Sequence, residues 1–277
     1  MVWPQVAIVQ RDLADLRAAP SGDSELVDQA QYGENVRVLG ESDRWRYVQG
    51  ADHYFGWVTL DDLAVLTGYA ERFVVAVLLA DVRDAPHGDA SVIARLPTGT
   101  SVPAIVASME PADGTHQRVP YAHPEGWRET HLGPGWLTGY VALSDLVDVR
   151  QLPHRYPTAN DYLETAESFI GVPYLWGGTT ALGLDCSGFV QQVYRLNGVA
   201  LPRDADQQAM LGRMVEEARA GDLMFFGADS VTHVALATSA TEFVHAPMKG
   251  GVVEHSRLGP DRKLRVIRRY LPDPAAT

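Results

Sequence analysis

The chain has 277 residues, 46% of them hydrophobic and 21% charged, enough for two or three domains with packed cores. Its formal net charge of -12 repels polyanions, which argues against nucleic acid, anionic membranes and charged wall polymers as partners. The single cysteine, Cys186, rules out an intramolecular disulfide and a multi-cysteine zinc site. Residues 1–11 carry no basic segment, their apolar run is short, and no stretch has the length of a membrane span. The expectation is a cytoplasmic protein with a reduced thiol. A secreted protein whose signal peptide has been removed would leave the same pattern.

The first half repeats itself. Displaced by 66 residues, the segment 14–20 falls on 80–86, Gly33 on Gly99 and Val36 on Val102. Further on, Gly56-Trp57-Val58 falls on Gly139-Tyr140-Val141 at a displacement of 83, so the second copy carries 17 extra residues. They lie within the Pro-, Gly- and His-rich stretch 110–134, which reads as a surface loop with Trp127 and Trp136 on or beside it. Short runs of alternating apolar residues, broken by Gly, Pro, Asp and Ser, predict two small all-β barrels. The shared pattern of LR, P, G, V, W and GWV resembles the bacterial SH3 (SH3b) domain, a module that binds ligands or acts as a spacer. The expected divisions are 1–68 and 69–150 for the two SH3b domains, 151–157 for a proline-flanked linker, and 158–277 for a third domain.

Beyond the linker the period changes. Tyr162, Ala166, Phe169 and Ile170 have helical spacing, and Gly171 ends the run. A second helix is expected over 187–197, with Gly198 as its stop. The apolar runs at 223–226, 234–237 and 242–245 read as strands, which makes this domain α+β.

Cys186 stands in Asp-Cys-Ser-Gly, immediately before the second helix. A thiol there faces unpaired N–H groups and the positive end of the helix dipole, which favour the thiolate and could also hold an oxyanion. Most lone cysteines are simply small buried hydrophobes. The histidines shift that balance. If residues 231–247 form a hairpin centred near Ser239, His233 and His245 lie directly opposite each other on one face, with Cβ atoms ~5 Å apart. A base beside an orienting group completes a cysteine-protease site. Two solvated or core-lining histidines are the plain alternative. One Cys and two His also make a poor metal site, with no fourth ligand in view, so neither metal nor cofactor is expected.

Residues 158–270 resemble an NlpC/P60 domain, a papain-like fold of bacterial cell-wall peptide hydrolases. The resemblance rests on GVPYLWGG (171–178), DCSGFV (185–190), LPR (201–203), AGDLMFF (220–226) and the two histidine strands, in that order. It implies Cys186 as nucleophile, His233 as base, His245 as the third residue, Tyr174 near the oxyanion site, and Asp185 and Ser187 in the substrate-binding set. Two SH3b units ahead of such a domain resemble the γ-D-glutamyl-L-diamino acid endopeptidases, which trim free muropeptides bearing an N-terminal L-Ala. The amine of such a peptide needs acidic partners. The resemblance nominates Asp204, Glu34 and Tyr54, whose counterparts in the second repeat of the first half, Thr100 for Glu34 and Leu137 for Tyr54, are not of that kind. The expected substrate is thus a small murein peptide, L-Ala-γ-D-Glu-diamino acid, with release of L-Ala-D-Glu. The rival is a secreted wall-remodelling endopeptidase anchored by its SH3b units.

Overall fold

A computed structural model of the chain describes residues 5–64, 69–106, 125–132, 137–153, 155–248 and 250–271. They fall into two compact units, 1–153 and 154–277, so the division lies inside the proline-flanked segment.

In the first unit, β1 (Gln5–Val9), β2 (Leu13–Arg17), β3 (Leu26–Gln31), β4 (Asn35–Ser42), β5 (Trp45–Gln49), β6 (Phe55–Thr59) and β7 (Leu63–Ala64) form one sheet in the order β3-β2-β6-β5-β4-β1-β7. Alternation is the reason. In β2 the side chains of Ala14 and Leu16 are fully buried while their neighbours are half-exposed. Together with Val9, Val36, Val38, Val48 and Val58 they make a small apolar core.

The same construction follows with β8 (Tyr69–Val75), β9 (Leu79–Arg83), β10 (Val92–Pro97), β11 (Ser101–Val106), β12 (Trp127–Leu132), β13 (Leu137–Ala142) and β14 (Leu146–Asp148), now in two sheets, β10-β9-β13-β12 and β11-β8-β14. The repeat seen in the sequence holds at the level of single bonds. Gly33 and Gly99 share a positive φ of 79° and 78°. Their N–H groups donate to the carbonyls of Val9 and Val75, again 66 residues apart. Arg17 and Arg83 each donate to an aspartate two residues back, Asp15 and Asp81. The loop expected over 110–134 is corrected where it is described. Residues 127–132 are strand β12, with Arg128, Glu129 and Thr130 buried. The remainder of that expectation, and Trp136, lie outside the described residues.

The second unit opens with α1 (Ala159–Ser168), begun by a capping box between Thr158 and Asp161. Two short strands, β15 (Thr179–Thr180) and β16 (Gly183–Leu184), lead into α2 (Cys186–Leu196), and Gly198 follows it with a φ of 79°. The helix therefore starts on Cys186 rather than after it. Next come α3 (Ala205–Ala209), β17 (Arg213–Val215), β18 (Leu223–Phe226), β19 (His233–Ala237), β20 (Glu242–His245), β21 (Glu254–Arg257) and β22 (Leu264–Arg269). The last six form one antiparallel sheet, β17-β22-β18-β19-β20-β21. All residues of β18 and most of β19 and β20 are buried, which explains their continuous apolar runs. On the helical side Tyr162 stacks on Tyr194 at 4.3 Å, and the Tyr194 hydroxyl donates to the Gly221 carbonyl. No helix among the described residues is long and apolar enough to cross a membrane.

Two glycines test the repeat. A Cβ on Gly56 would sit 2.8 Å from Leu16 Cβ, and one on Gly139 would sit 2.4 Å from Val82 Cγ1, the matching pair in the second copy. Gly56→Ala and Gly139→Ala should each destabilise the first unit by about 1–3 kcal/mol in calorimetric or denaturant unfolding. Gly22→Ala and Gly88→Ala, where nothing lies within 4 Å, should change it little.

Candidate active site

The site grows from the start of α2. Asp185 is its N-cap, and Oδ1 accepts the Gly188 N–H at 2.7 Å and the Ser187 hydroxyl at 3.2 Å. Oδ2 accepts the Gly177 N–H at 2.9 Å. The Arg203 guanidinium then donates to both oxygens, at 3.1 and 2.6 Å, and to Ser187 Oγ at 3.0 Å. Arg203 and Asp185 are both buried, so one carboxylate ties the helix start, the 174–178 turn and the 201–205 segment together. The packing leaves no slack. A Cβ on Gly188 would lie 2.2 Å from the Gly178 carbonyl oxygen.

This arrangement fixes Cys186 as the first residue of α2, half-buried. Its sulfur takes hydrogen bonds from the backbone N–H groups of Val234 and Ser187, which puts it beside the start of β19 and so beside His233. Burial pushes the thiol up to about 11, and the Asp185 carboxylate adds to the rise. The two N–H groups and Arg203 oppose it without reversing it. The expected thiolate at the helix start is therefore corrected. Desolvation outweighs the dipole because the sulfur is enclosed between α2 and β19.

His233 and His245 do meet. His233 Nε2 lies 2.7 Å from His245 Nδ1, with the rings edge-on at 82°. The register is not the expected one. Leu236 pairs with Val244 and Ala237 with Phe243, so His245 stands opposite Ala235 and His233 reaches it diagonally. The turn is centred one residue later than Ser239, which moves the partner by two positions and keeps both rings on the same face. Burial holds His233 down at about 4 and His245 at about 3, with Arg262 lowering both. On its far side His245 Nε2 meets Ser256 Oγ at 3.1 Å.

Tyr174 is half-buried, its N–H donating to the Gly251 carbonyl. Burial, with Cys186 and Asp185 nearby, pushes its hydroxyl up to about 12, so it remains a donor. Asp185 and Ser187, expected to touch substrate, are buried with their oxygens already bonded to the protein, and the geometry gives them a positioning part. Asp204 follows Arg203 directly at the start of α3, half-buried, with Gln207 Nε2 3.4 Å from its Oδ2. In the first unit Glu34 accepts the N–H groups of Gln31 and Ala51, so its turn and the loop bearing Tyr54 are joined. That loop is tight. His53 has a φ of 71°, and the Gly50 N–H donates to the Tyr54 carbonyl. Arg203 is the residue that motif reading undervalued. It stood in the LPR motif, an arginine beside an apolar pair, and its burial was the missing fact. Among the described residues no three His, Cys, Asp or Glu side chains are grouped to hold a metal ion.

A buried thiol with a neutral imidazole beside it can pass its proton to that imidazole as it attacks an acyl carbon. Two outcomes follow from the geometry. Arg203→Met leaves the Asp185 carboxylate buried without its counter-charge and should cost about 3–5 kcal/mol in unfolding free energy, part of it recovered by the double change Asp185→Leu/Arg203→Met. Without substrate, the rate of Cys186 alkylation by iodoacetamide should rise about tenfold per pH unit from pH 7 to 10, because the thiolate fraction grows toward a raised midpoint. A plateau near neutrality would contradict the neutral resting thiol.

Comparison with known proteins agrees with the geometry. Residues 171–265 match the NlpC/P60 family, and residues 16–63 match the bacterial dipeptidyl-peptidase Sh3 domain. The dipeptidyl-peptidase 6 of Lysinibacillus sphaericus is 30% identical over 265 residues, covering 91% of each chain. The γ-D-glutamyl-L-lysine dipeptidyl-peptidase of Bacillus subtilis is 40% identical over 121 residues, which span 42% of this chain and 40% of that one. A crystal structure of an NlpC/P60 family protein from Bacillus cereus shares the fold, with a TM-score of 0.79 at 24% identity, covering 97% of this chain and 100% of that one. With a relative matched along nearly its whole length and a helix-start cysteine bonded to the strand that opens on His233, the chain belongs to the NlpC/P60 family of peptidases, here preceded by an SH3-type β region.

Proposed function

We propose that the protein is a cysteine peptidase that cuts the γ-D-glutamyl to diamino acid bond of murein peptides with a free N-terminal L-Ala, releasing L-Ala-D-Glu. The observation that carries this reading is the Cys186 sulfur held by the Val234 N–H of β19, the strand whose first residue, His233, is hydrogen-bonded to His245. The names of the relatives from L. sphaericus and B. subtilis point to the bond and the dipeptide product.

The steps follow from the groups present. Cys186 Sγ attacks the γ-carbonyl carbon while its proton passes to His233, so that thioester formation begins from a neutral pair. The Ser187 N–H, already directed at the sulfur, and the Tyr174 hydroxyl are proposed as donors to the developing oxyanion. His233 returns the proton to the departing amine, and the C–N bond breaks. Water, deprotonated by His233, then attacks the thioester and frees the carboxylate and the thiol. His245 orients His233 throughout. Asp204 is proposed to receive the substrate ammonium, a charge that needs an acidic partner wherever it is desolvated. A single free thiol suits the reducing cytoplasm, where we place the reaction.

The test uses L-Ala-γ-D-Glu-meso-diaminopimelate, its lysine analogue, and the N-acetylated form of each, with products read by mass spectrometry. Release of L-Ala-D-Glu from the free amines alone, lost in Cys186→Ala, is expected. Equal cleavage of the acetylated peptides would remove Asp204 as a specificity residue and favour a wall-remodelling endopeptidase.

A further inference from the structure

We propose that Ser256 and Arg262 are positioning residues for the His233–His245 pair, Ser256 by accepting the outer hydrogen of His245 and Arg262 by placing a fixed positive charge that keeps an additional proton off the two rings. This inference rests on the cysteine-peptidase reading.

The proton count defines the need. To take the thiol proton on Nδ1, His233 must carry its hydrogen on Nε2. That hydrogen points at His245 Nδ1, 2.7 Å away, so the lone hydrogen of His245 must sit on Nε2. The productive tautomer therefore requires an acceptor beyond His245. Ser256 Oγ is 3.1 Å from that nitrogen, and the Glu254 carboxylate, an acceptor only, is 3.9 Å from it. Both come from β21, where Phe243 pairs with Ser256 and His245 with Glu254, so the two side chains share the face of the histidines.

Arg262 lies just past β21 and is held twice. Its Nη2 donates to Ser256 Oγ at 3.4 Å, and its guanidinium carbon stands 5.1 Å from the centre of the Phe243 ring. Phe243 in turn packs against the His245 ring at 5.1 Å. The charge is thus anchored in the wall of the pair, half-buried and close to it. Two imidazoles sharing one hydrogen bond could trap an extra proton between them, and a protonated pair is no base. The other ionisable groups facing the rings are Cys186 on α2, a neutral thiol, with the Asp185–Arg203 pair behind it, and the half-exposed Glu254 on β21. Burial lowers proton affinity most at both rings, and Arg262 adds to it at His233 and, after His233 itself, at His245.

The experiment combines kcat/KM against pH with an NMR titration of the two imidazoles, on the full chain with the L-Ala-γ-D-Glu-diamino acid peptide. Arg262→Gln should move the acidic limb and both ring midpoints up by about one pH unit, the direction expected when a nearby like charge is removed. Arg262→Lys, which keeps the charge, should leave them near those of the wild type. Ser256→Ala should lower kcat about tenfold at unchanged KM, as expected for a lost general-base contribution, and should mix the His245 tautomers in the 15N spectrum without moving the acidic limb. If Arg262→Gln fails to melt cooperatively, Arg262→Met preserves the stem against Phe243 and gives the same readout. Unchanged ring midpoints in the uncharged variants, or equal shifts in the Lys and Gln variants, would overturn the role of the charge. An unmixed His245 tautomer in Ser256→Ala would overturn the role of the hydroxyl. The ring titration can be repeated in Cys186→Ala, so it stands or falls separately from the identity of the nucleophile.

Discussion

The buried ion pair between Asp185 and Arg203 is the constraint on which the site depends. Its carboxylate accepts from the Gly177 and Gly188 N–H groups, the Ser187 hydroxyl and both ends of the guanidinium. Three separate stretches of chain converge on it: the turn before β15, the first turn of α2 and the segment that leads into α3. Removing two charges from water is expensive, and only complete hydrogen bonding offsets that cost. What results is position. Cys186 has no freedom to drift along its helix, and Asp204 starts from a fixed neighbour.

Electrostatics at the sulfur then follow from enclosure more than from the helix. The helix start contributes N–H groups, but Asp185 has taken the one from Gly188, and the thiol is shut between α2 and β19. The histidines experience the same enclosure with the opposite sign, because burial favours the neutral form of each group. The thiol stays protonated and the imidazoles stay free of an extra proton, so both members of the resting site are uncharged. Charge appears only when an acyl group is there to be attacked.

Much of this was legible in the sequence. The repeat, α1 and α2 of the second unit, the strands β18 to β20 and the meeting of His233 with His245 all follow from periodicity and motif order. The errors have physical reasons. The hairpin turn was centred one residue too early, since a run of Thr, Ser and Ala carries no sharp turn signal. The slip was harmless because side chains alternate with a period of two, and a shift of two restores the face. The thiol was expected to be acidic because helix position is written in the sequence, whereas desolvation depends on what packs over it. Ser256 and Arg262 escaped notice for a similar reason. They reach the histidines across a strand pairing and a ring stack, and no fixed spacing along the chain encodes either.

The two copies in the repeated half share their tightest contacts and differ at one position of the turn. The glycine that lets β6 pass over Leu16 recurs where β13 passes over Val82, as do the positive-φ turns at Gly33 and Gly99. The two copies thus share both the tight strand crossing and the turn conformation. The residue after each turn glycine tells the opposite story. In the first copy Glu34 accepts the backbone N–H of Gln31, while in the second Thr100 donates its hydroxyl to the Gln31 side chain. At the same place in the repeat, a carboxylate thus closes its own turn in the first copy, while a hydroxyl clasps the first copy to the second. Equivalent positions of a repeated fold can therefore carry different loads, one local and one holding the two copies together.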